Sequence, residues 1–392
     1  MKTDWQVKKL GAAFSTMTGG TPPKCNTTLY GDFLPFVKPP ELLDSGVDTA
    51  EDSLSETGAK VARVLPTNSI LVSCIGNLGK VGLNTVPVAF NQQINAILPD
   101  ESKATPWFLF YQALSCRFKD QLEFQASGTT VRIVNKSKFN NIEIILPPLH
   151  EQHRIVAILD QAFAGIATAK ANAEQNLKNA RALFESHLQS VFTERGEGWV
   201  ERSIGDVCML KSGTSVSVSL EKASGDLPYV KVSDMTHAGN ETDIVASSRY
   251  LDMTDIGKNA VFPTGTTIFP KRGGAILTNK KRLTTLPICA DLNIMGVIPP
   301  SNMLPKLLYF YFLNVDMRQI CSGSSIPQIN NYDIAPLKIS FPESQNKQGK
   351  FVWQLEGMAE ETQHLESIYQ RKLAALDDLK KSLLNQAFSG QL

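Results

Sequence analysis

The chain has 392 residues, 42% hydrophobic and 20% charged, with a formal net charge of +1. That length exceeds one ordinary core and calls for two domains of about 100 to 150 residues plus connecting segments. Near-neutrality excludes a uniformly basic nucleic-acid binder, so any such surface must come from local clustering.

No run reaches the roughly 18 apolar residues a membrane helix needs. The polar start MKTDWQVKK does not read as a secretory signal. A cytoplasmic protein with no membrane partner is expected. Cys25, Cys74, Cys116, Cys208, Cys289 and Cys321 stand singly, without a CxxC pair, and are read as free, mostly buried thiols.

In chain order, the segment from Glu41 to Glu56 holds six acidic residues and no basic one, and reads as a solvated surface insert. Short β-branched and aromatic runs between Gly, Pro and Asn turns predict strands over Ser69 to Ile75, Val86 to Phe90 and Ile94 to Leu98. A helix is expected over Thr105 to Gln121. From Leu149 to Thr193 there is no Pro and one internal Gly, and apolar residues step by three and four: Ile155, Leu159, Ala162, Ile166, Ala169, Ala173, Ala180, Leu183. That predicts a single helix of about 65 Å with one buried seam. Gly196 and Gly198 follow as stop signals. Further strands are predicted over Thr266 to Phe269, Ile276 to Thr278 and Ile294 to Ile298, with a helix over Pro305 to Ile320. A second long helix, Lys350 to Phe388, carries Leu355, Met358, Leu365, Tyr369, Leu376, Leu379, Leu383 and Ala387 on its seam and ends before Gly390.

A shift of 196, half of the 392 residues, lays Ile155 on Phe351, Leu159 on Leu355, Leu188 on Leu384 and Phe192 on Phe388. The opening Trp5…Leu10-Gly11 matches Trp199…Ile204-Gly205, and Gly20-Thr21 is set against Gly213-Thr214. Leu34-Pro35-Phe36-Val37-Lys38 matches Leu227-Pro228-Tyr229-Val230-Lys231, and Val64-Leu65-Pro66-Thr67 matches Val261-Phe262-Pro263-Thr264. Ser127-Gly128-Thr129-Thr130-Val131 matches Ser322-Gly323-Ser324-Ser325-Ile326. The order holds throughout, so the chain is a duplication. Matched seams would let the two helices pack antiparallel, with one α+β domain at each end of a rod.

Catalytic constellations are missing. In His150-Glu151-Gln152-His153 the second His falls at i+3, not the i+4 of a zinc-protease helix. Gly79-Lys80 lacks the upstream glycine of a phosphate loop, since Cys74 occupies that place. No Pro-Pro pair has the Asn or Asp before it and Tyr or Phe after it that amino-methyltransferases use. The chain is therefore expected to catalyse nothing and to hold neither metal nor cofactor.

Basic and amide side chains do cluster in loops. Lys271, Arg272, Lys280, Lys281 and Arg282 put five positive charges within twelve residues, with Asn279 among them. The equivalent turn of the first half has Asn77 and Lys80, and the following loops have Gln92, Gln93 and Asn95 against Asn293. With the glycine turns and their flanks (Thr18, Gly20, Thr21, Lys24 and Lys38; Lys211, Ser212, Thr214 and Lys231), these are the candidate DNA contacts. Arg, Asn and Gln can pair with base edges, and Gly lets backbone approach phosphates.

At these residues the chain resembles the specificity (S, HsdS) subunit of type I restriction-modification systems. The likeness rests on four features: the Trp-x4-Leu/Ile-Gly openings, the Gly-Thr turns, the Leu146-Pro-Pro-Leu-x-Glu-Gln-x-x-Ile155-x-x-x-Leu159 helix entry, and the closing Ser382-Leu-Leu-Asn-Gln-Ala-Phe-Ser-Gly390. The second half departs from it at Ser215, where a Pro is usual, and keeps only Gln348 of the Glu-Gln pair. The resemblance implies two tandem α+β target recognition domains, 1–148 and 196–342, each followed by a helical spacer, 149–195 and 343–392. The domains would read the halves of a split double-stranded DNA target. The spacers would dock two adenine-N6 methyltransferase subunits and the restriction subunits, with Gln152, Ile155, Leu159, Leu188, Phe192, Leu355, Leu384 and Phe388 as spacer or docking residues. S-adenosylmethionine, ATP and Mg would belong to those partners. Two alternatives remain open, a specificity partner of a fused type II-like restriction-methylation enzyme and a coiled-coil scaffold that binds no DNA.

Overall fold

The computed structural model describes residues 5–193, 197–323 and 326–392. Gly196 and the repeat residues Ser324 and Ser325 lie outside them. The fold is α+β and falls into two compact units, residues 1–174 with 370–392, and residues 175–369. Each long helix is thus divided between the units instead of standing apart as a spacer domain, because its seam is part of each unit's core.

In the first unit a five-stranded sheet runs in the order Ser15–Thr18, Ile94–Leu98, Ile70–Ser73, Val81–Asn84, Ser45–Val47. A four-stranded sheet runs Asp52–Leu54, Tyr30–Val37, Val88–Phe90, Val64–Leu65, and a two-stranded one pairs Gln6–Lys9 with Glu143–Leu146. The second unit repeats all three. Its sheets run Met209–Ser212, Ile294–Ile298, Thr267–Pro270, Arg282–Thr284, Asp243–Ile244; then Tyr250–Leu251, Leu227–Val230, Ile288–Ala290, Val261–Phe262; then Trp199–Ser203 with Lys338–Pro342. Register agrees as well as order: Phe36 pairs Ala89 in parallel, and Tyr229 pairs Cys289 in parallel.

Several expectations hold to the residue, namely the helix Leu149–Thr193 and the strands Ile94–Leu98 and Ile294–Ile298. The C-terminal helix is longer than expected, Gln345–Ser389. It stops at Gly390, whose φ of 81° a β-carbon would strain.

Other expectations are corrected. The acidic stretch 41–56 is not a loose insert. It supplies one strand to each large sheet, and buries Leu42, Val47 and Leu54 beneath its charged faces. The helix expected over Thr105 to Gln121 breaks at Ser115, whose hydroxyl accepts from the Phe118 N–H and caps a second helix, Cys116–Gln125. Ile276 to Thr278 is not a strand but the end of a 3-10 turn, Gly273–Thr278, closed by Asn279 in the left-handed region at φ 53°. Leu183 and Leu379 face solvent, 66% and 47% exposed. The first seam passes instead from Ala180 to Leu188 and Val191, with Phe184 packed beside them.

Both helix entries are anchored by a buried amide. Gln152 accepts from the Thr105 N–H at 3.0 Å and donates to the Lys103 and Pro147 carbonyls at 2.9 and 2.8 Å. Gln348 accepts from the Leu304 N–H at 2.8 Å and donates to the Asn302 and Pro342 carbonyls, both at 2.9 Å. Both residues are wholly buried, so Gln152 is a structural clasp and not a docking side chain. Ile155, Leu159, Leu384 and Phe388 belong to the first unit's core, and Leu188 and Leu355 to the second's, with Phe192 half-buried against it.

Candidate nucleic-acid interface

In each unit, the loops that carry most candidates meet at one end of the five-stranded sheet, held by a common set of backbone hydrogen bonds. Cys74 N–H donates to Gln93 O and Cys74 O accepts from Val134 N–H, both at 2.8 Å. Lys271 makes the same two bonds, with Asn293 O at 2.8 Å and Ile329 N–H at 2.9 Å. Gly76 N–H reaches Arg132 O at 2.9 Å, as Gly273 N–H reaches Pro327 O at 2.8 Å. Gly76 and Gly273 both have positive φ, 76° and 69°.

This frame corrects the register of the glycine turns by one residue. Gly19 and Gly213 both donate to an isoleucine carbonyl, of Ile94 and Ile294, and Gly20 and Thr214 donate to Phe90 and Ala290. A β-carbon on either Gly19 or Gly213 would sit 2.1 Å from the carbonyl oxygen of residue 91 or 291, whereas Gly20 has open space. The obligatory glycine is therefore Gly19, and Gly20 corresponds to Thr214.

On the common frame the side chains differ. In the first unit Thr18 donates to Asn95 Oδ1 at 2.6 Å, Asn95 donates to the Val134 carbonyl at 3.2 Å, and Thr21 bonds Gln92 Oε1 at 2.5 Å. In the second, Met295 stands opposite Ser212, and Lys271 Nζ donates to Ser212 Oγ at 2.7 Å. Cys74, at the place of Lys271, is buried, which pushes its thiol up to about 12. Lys271 itself is held below the usual lysine range by burial and by the neighbouring Arg272 charge.

Several candidates are withdrawn because their polar atoms are used inside the protein. Asn95 is 2% exposed. Lys281 is also 2% exposed, at the place of buried Val81, and donates to Asn279 Oδ1 and the Val315 carbonyl; burial lowers it to about 8. Arg282 bonds the Lys281 and Met235 carbonyls. Asn279 Oδ1 accepts from both Lys281 Nζ and the Met317 N–H, which turns its carbonyl inward. Lys211 donates to the Val261 carbonyl at 2.6 Å over the Phe262 ring. The equivalent pair Lys38 and Lys231 are paired with Asp52 and Glu221. Lys24 is not withdrawn on this ground, since it stays exposed at the edge of a hollow it lines with Glu51 and Asp52.

Asn77, Gln92, Ser212 and Arg272 stay exposed, and Gly20, Thr21, Lys80, Gln93, Thr214, Lys280 and Asn293 are half-buried. Gln93 and Asn293 are fixed by Asn91 and Asp291 two residues earlier. Two further residues join the loops. Arg63 donates to the Thr18 carbonyl at 2.5 Å, a contact 45 positions away in sequence with no local signal. Gln328 pairs with Arg272 in a single antiparallel bridge, where the first unit pairs Ile133 with Ile75. Extending the repeat from Ser127 and Ser322 would have set Ile133 against Gln328.

Among the described residues no helix is long and apolar enough to cross a membrane. The sequence is 34% identical over 168 residues to the HindI specificity subunit of a Haemophilus influenzae type I restriction enzyme, covering 41% of this chain and 36% of that protein. It is 22% identical over 367 residues to the MjaIX specificity subunit of Methanocaldococcus jannaschii, covering 86% and 83%. The fold is similar to that of a chain from a study of type I R-M complex assembly and conformational transition, with TM-score 0.84, 19% identity and 100% and 99% coverage. It is also similar to the HsdS subunit of Thermoanaerobacter tengcongensis, with TM-score 0.62, 18% identity and 100% and 98% coverage. The type I restriction modification DNA specificity domain matches twice, over residues 2–179 and 196–370, one match for each copy of the repeated frame, so the chain belongs to that family.

Proposed function

We propose that this chain is the DNA-recognition subunit of a type I restriction and modification complex, each unit reading one half of a split, asymmetric duplex target. The observation that carries the reading is the repeated loop frame: two copies with the same backbone hydrogen bonds present Ile75 and Ile133 in one and Arg272 and Gln328 in the other. Two readers of different sequences need a common scaffold and different side chains. The long helices set the distance between half-sites and offer their outward faces to two methyltransferase subunits and to restriction subunits. S-adenosylmethionine, ATP and Mg act in those partners, which flip and methylate an adenine in each half-site. The chain itself is non-catalytic and works in the cytoplasm.

The test is the methylation pattern of a genome in which this chain is expressed with its methyltransferase subunit. A split motif with one methylated adenine in each half is expected, and exchange of residues 199–341 for a relative's segment should change one half only. A change in both halves, or no new methylation, would overturn the reading.

A further inference from the structure

We propose that the paired residues of one isolated β-bridge beside the five-stranded sheet of each unit, Arg272 with Gln328 and Ile75 with Ile133, are the specificity-determining pairs of the two units. This rests on the DNA-reading function proposed above. Partners directly opposite in an antiparallel bridge project from the same face, with β-carbons about 5 Å apart. Each pair therefore offers two side chains side by side, a spacing that suits two neighbouring base pairs stacked about 3.4 Å apart.

None of the four is a core residue. Arg272 is exposed, Ile133 is 39% exposed, and Ile75 and Gln328 are half-buried. The scaffold around them is the same in both units. A second bridge joins Ser127 to Ile133, as Ser322 to Gln328, and a left-handed glycine follows the first member of each pair. A position held identically by backbone while its side chain changes from Ile to Arg, or from Ile to Gln, is not serving the fold.

The chemistry of each pair fixes what it would read. The Arg272 guanidinium makes no hydrogen bond or ion pair among the described residues, and its fork matches the O6 and N7 acceptors of guanine. Gln328 Nε2 donates to Asn330 Oδ1 at 2.7 Å, which holds the amide while leaving its oxygen to accept from adenine N6 or cytosine N4 and its second N–H to donate. Ile75 and Ile133 have no polar side-chain atoms, and an apolar pair in the major groove selects the thymine methyl. The second unit's half-site thus contains a G·C pair read by Arg272 beside a pair read by Gln328, and the first unit's half-site contains a T·A pair read by the isoleucines.

The test uses the full chain assembled with its methyltransferase subunits and a pool of duplex DNA randomised across both half-sites. Arg272→Ala is expected to lower discrimination by roughly ten- to a hundred-fold at one G·C position of one half-site, leaving the other half-site unchanged. Arg272→Lys keeps the charge but not the fork, so overall binding should recover while discrimination does not. Ile133→Ser should loosen a T·A position in the opposite half-site only. If the wild-type assembly selects a split motif and all three variants select the same motif at full stringency, this inference is overturned and the recognition function stands. If Arg272→Ala weakens binding to all sequences alike and no single position loses discrimination, Arg272 is a phosphate contact and the inference also fails. If the wild type selects no split motif, both fall.

Discussion

Replacing Gln152 with leucine tests how the long helix is joined to its domain. The side chain is wholly buried and makes three hydrogen bonds, all to backbone groups of the segments 103–105 and 147. Leucine nearly fills the volume but leaves one N–H and two carbonyls unpaired, each at about 1–3 kcal/mol. Partial relaxation toward water lowers the total, so roughly 3–5 kcal/mol is expected. In a unit of this size 1 kcal/mol shifts Tm by about 2–4 °C, which places the fall at roughly 6–20 °C. Thermal and urea unfolding followed by circular dichroism would measure it. Gln348→Leu should behave alike, since it breaks the same three bonds in the other copy. A loss under about 1 kcal/mol in both variants would show that water satisfies these groups and that the clasp does not hold the helix entry.

Other expectations follow from the same reasoning. The depressed Lys281 has a folded pKa of about 8 against 10.5 for the ordinary side chain. Between those values the unfolded chain binds the extra proton, so stability rises with pH across about 8 to 10.5; below 8 the burial penalty is full. Compared with Lys281→Met, wild type should therefore gain on the order of 3 kcal/mol over that window in urea titrations; parallel curves would refute the buried, charged lysine. On the helices, Leu159→Ala or Leu355→Ala should cost about 2–5 kcal/mol because both side chains are fully buried. Removing Arg181, which pairs with Glu366 at 2.6 Å on an exposed face, should cost less than about 1 kcal/mol in the same melts.

The duplication, the full extent of the first long helix, the strands at Ile94–Leu98 and Ile294–Ile298 and the loops that carry the polar residues are legible in the chain alone. These are local or periodic properties, so composition and spacing reveal them. Which polar residues are available was decided only by tertiary structure. Asn95 looks like a base reader until Thr18 and the Val134 carbonyl, 39 residues away, occupy its amide. Lys281 reads as one of a basic run, yet strand pairing puts it where the first copy has Val81, and Asn279 and Val315 close over it. The turn glycine is Gly19, not its neighbour Gly20, because a carbonyl brought across from residue 91 leaves no room for a β-carbon. Burial of an individual side chain depends on segments distant in the chain, and no local pattern encodes which of them will arrive.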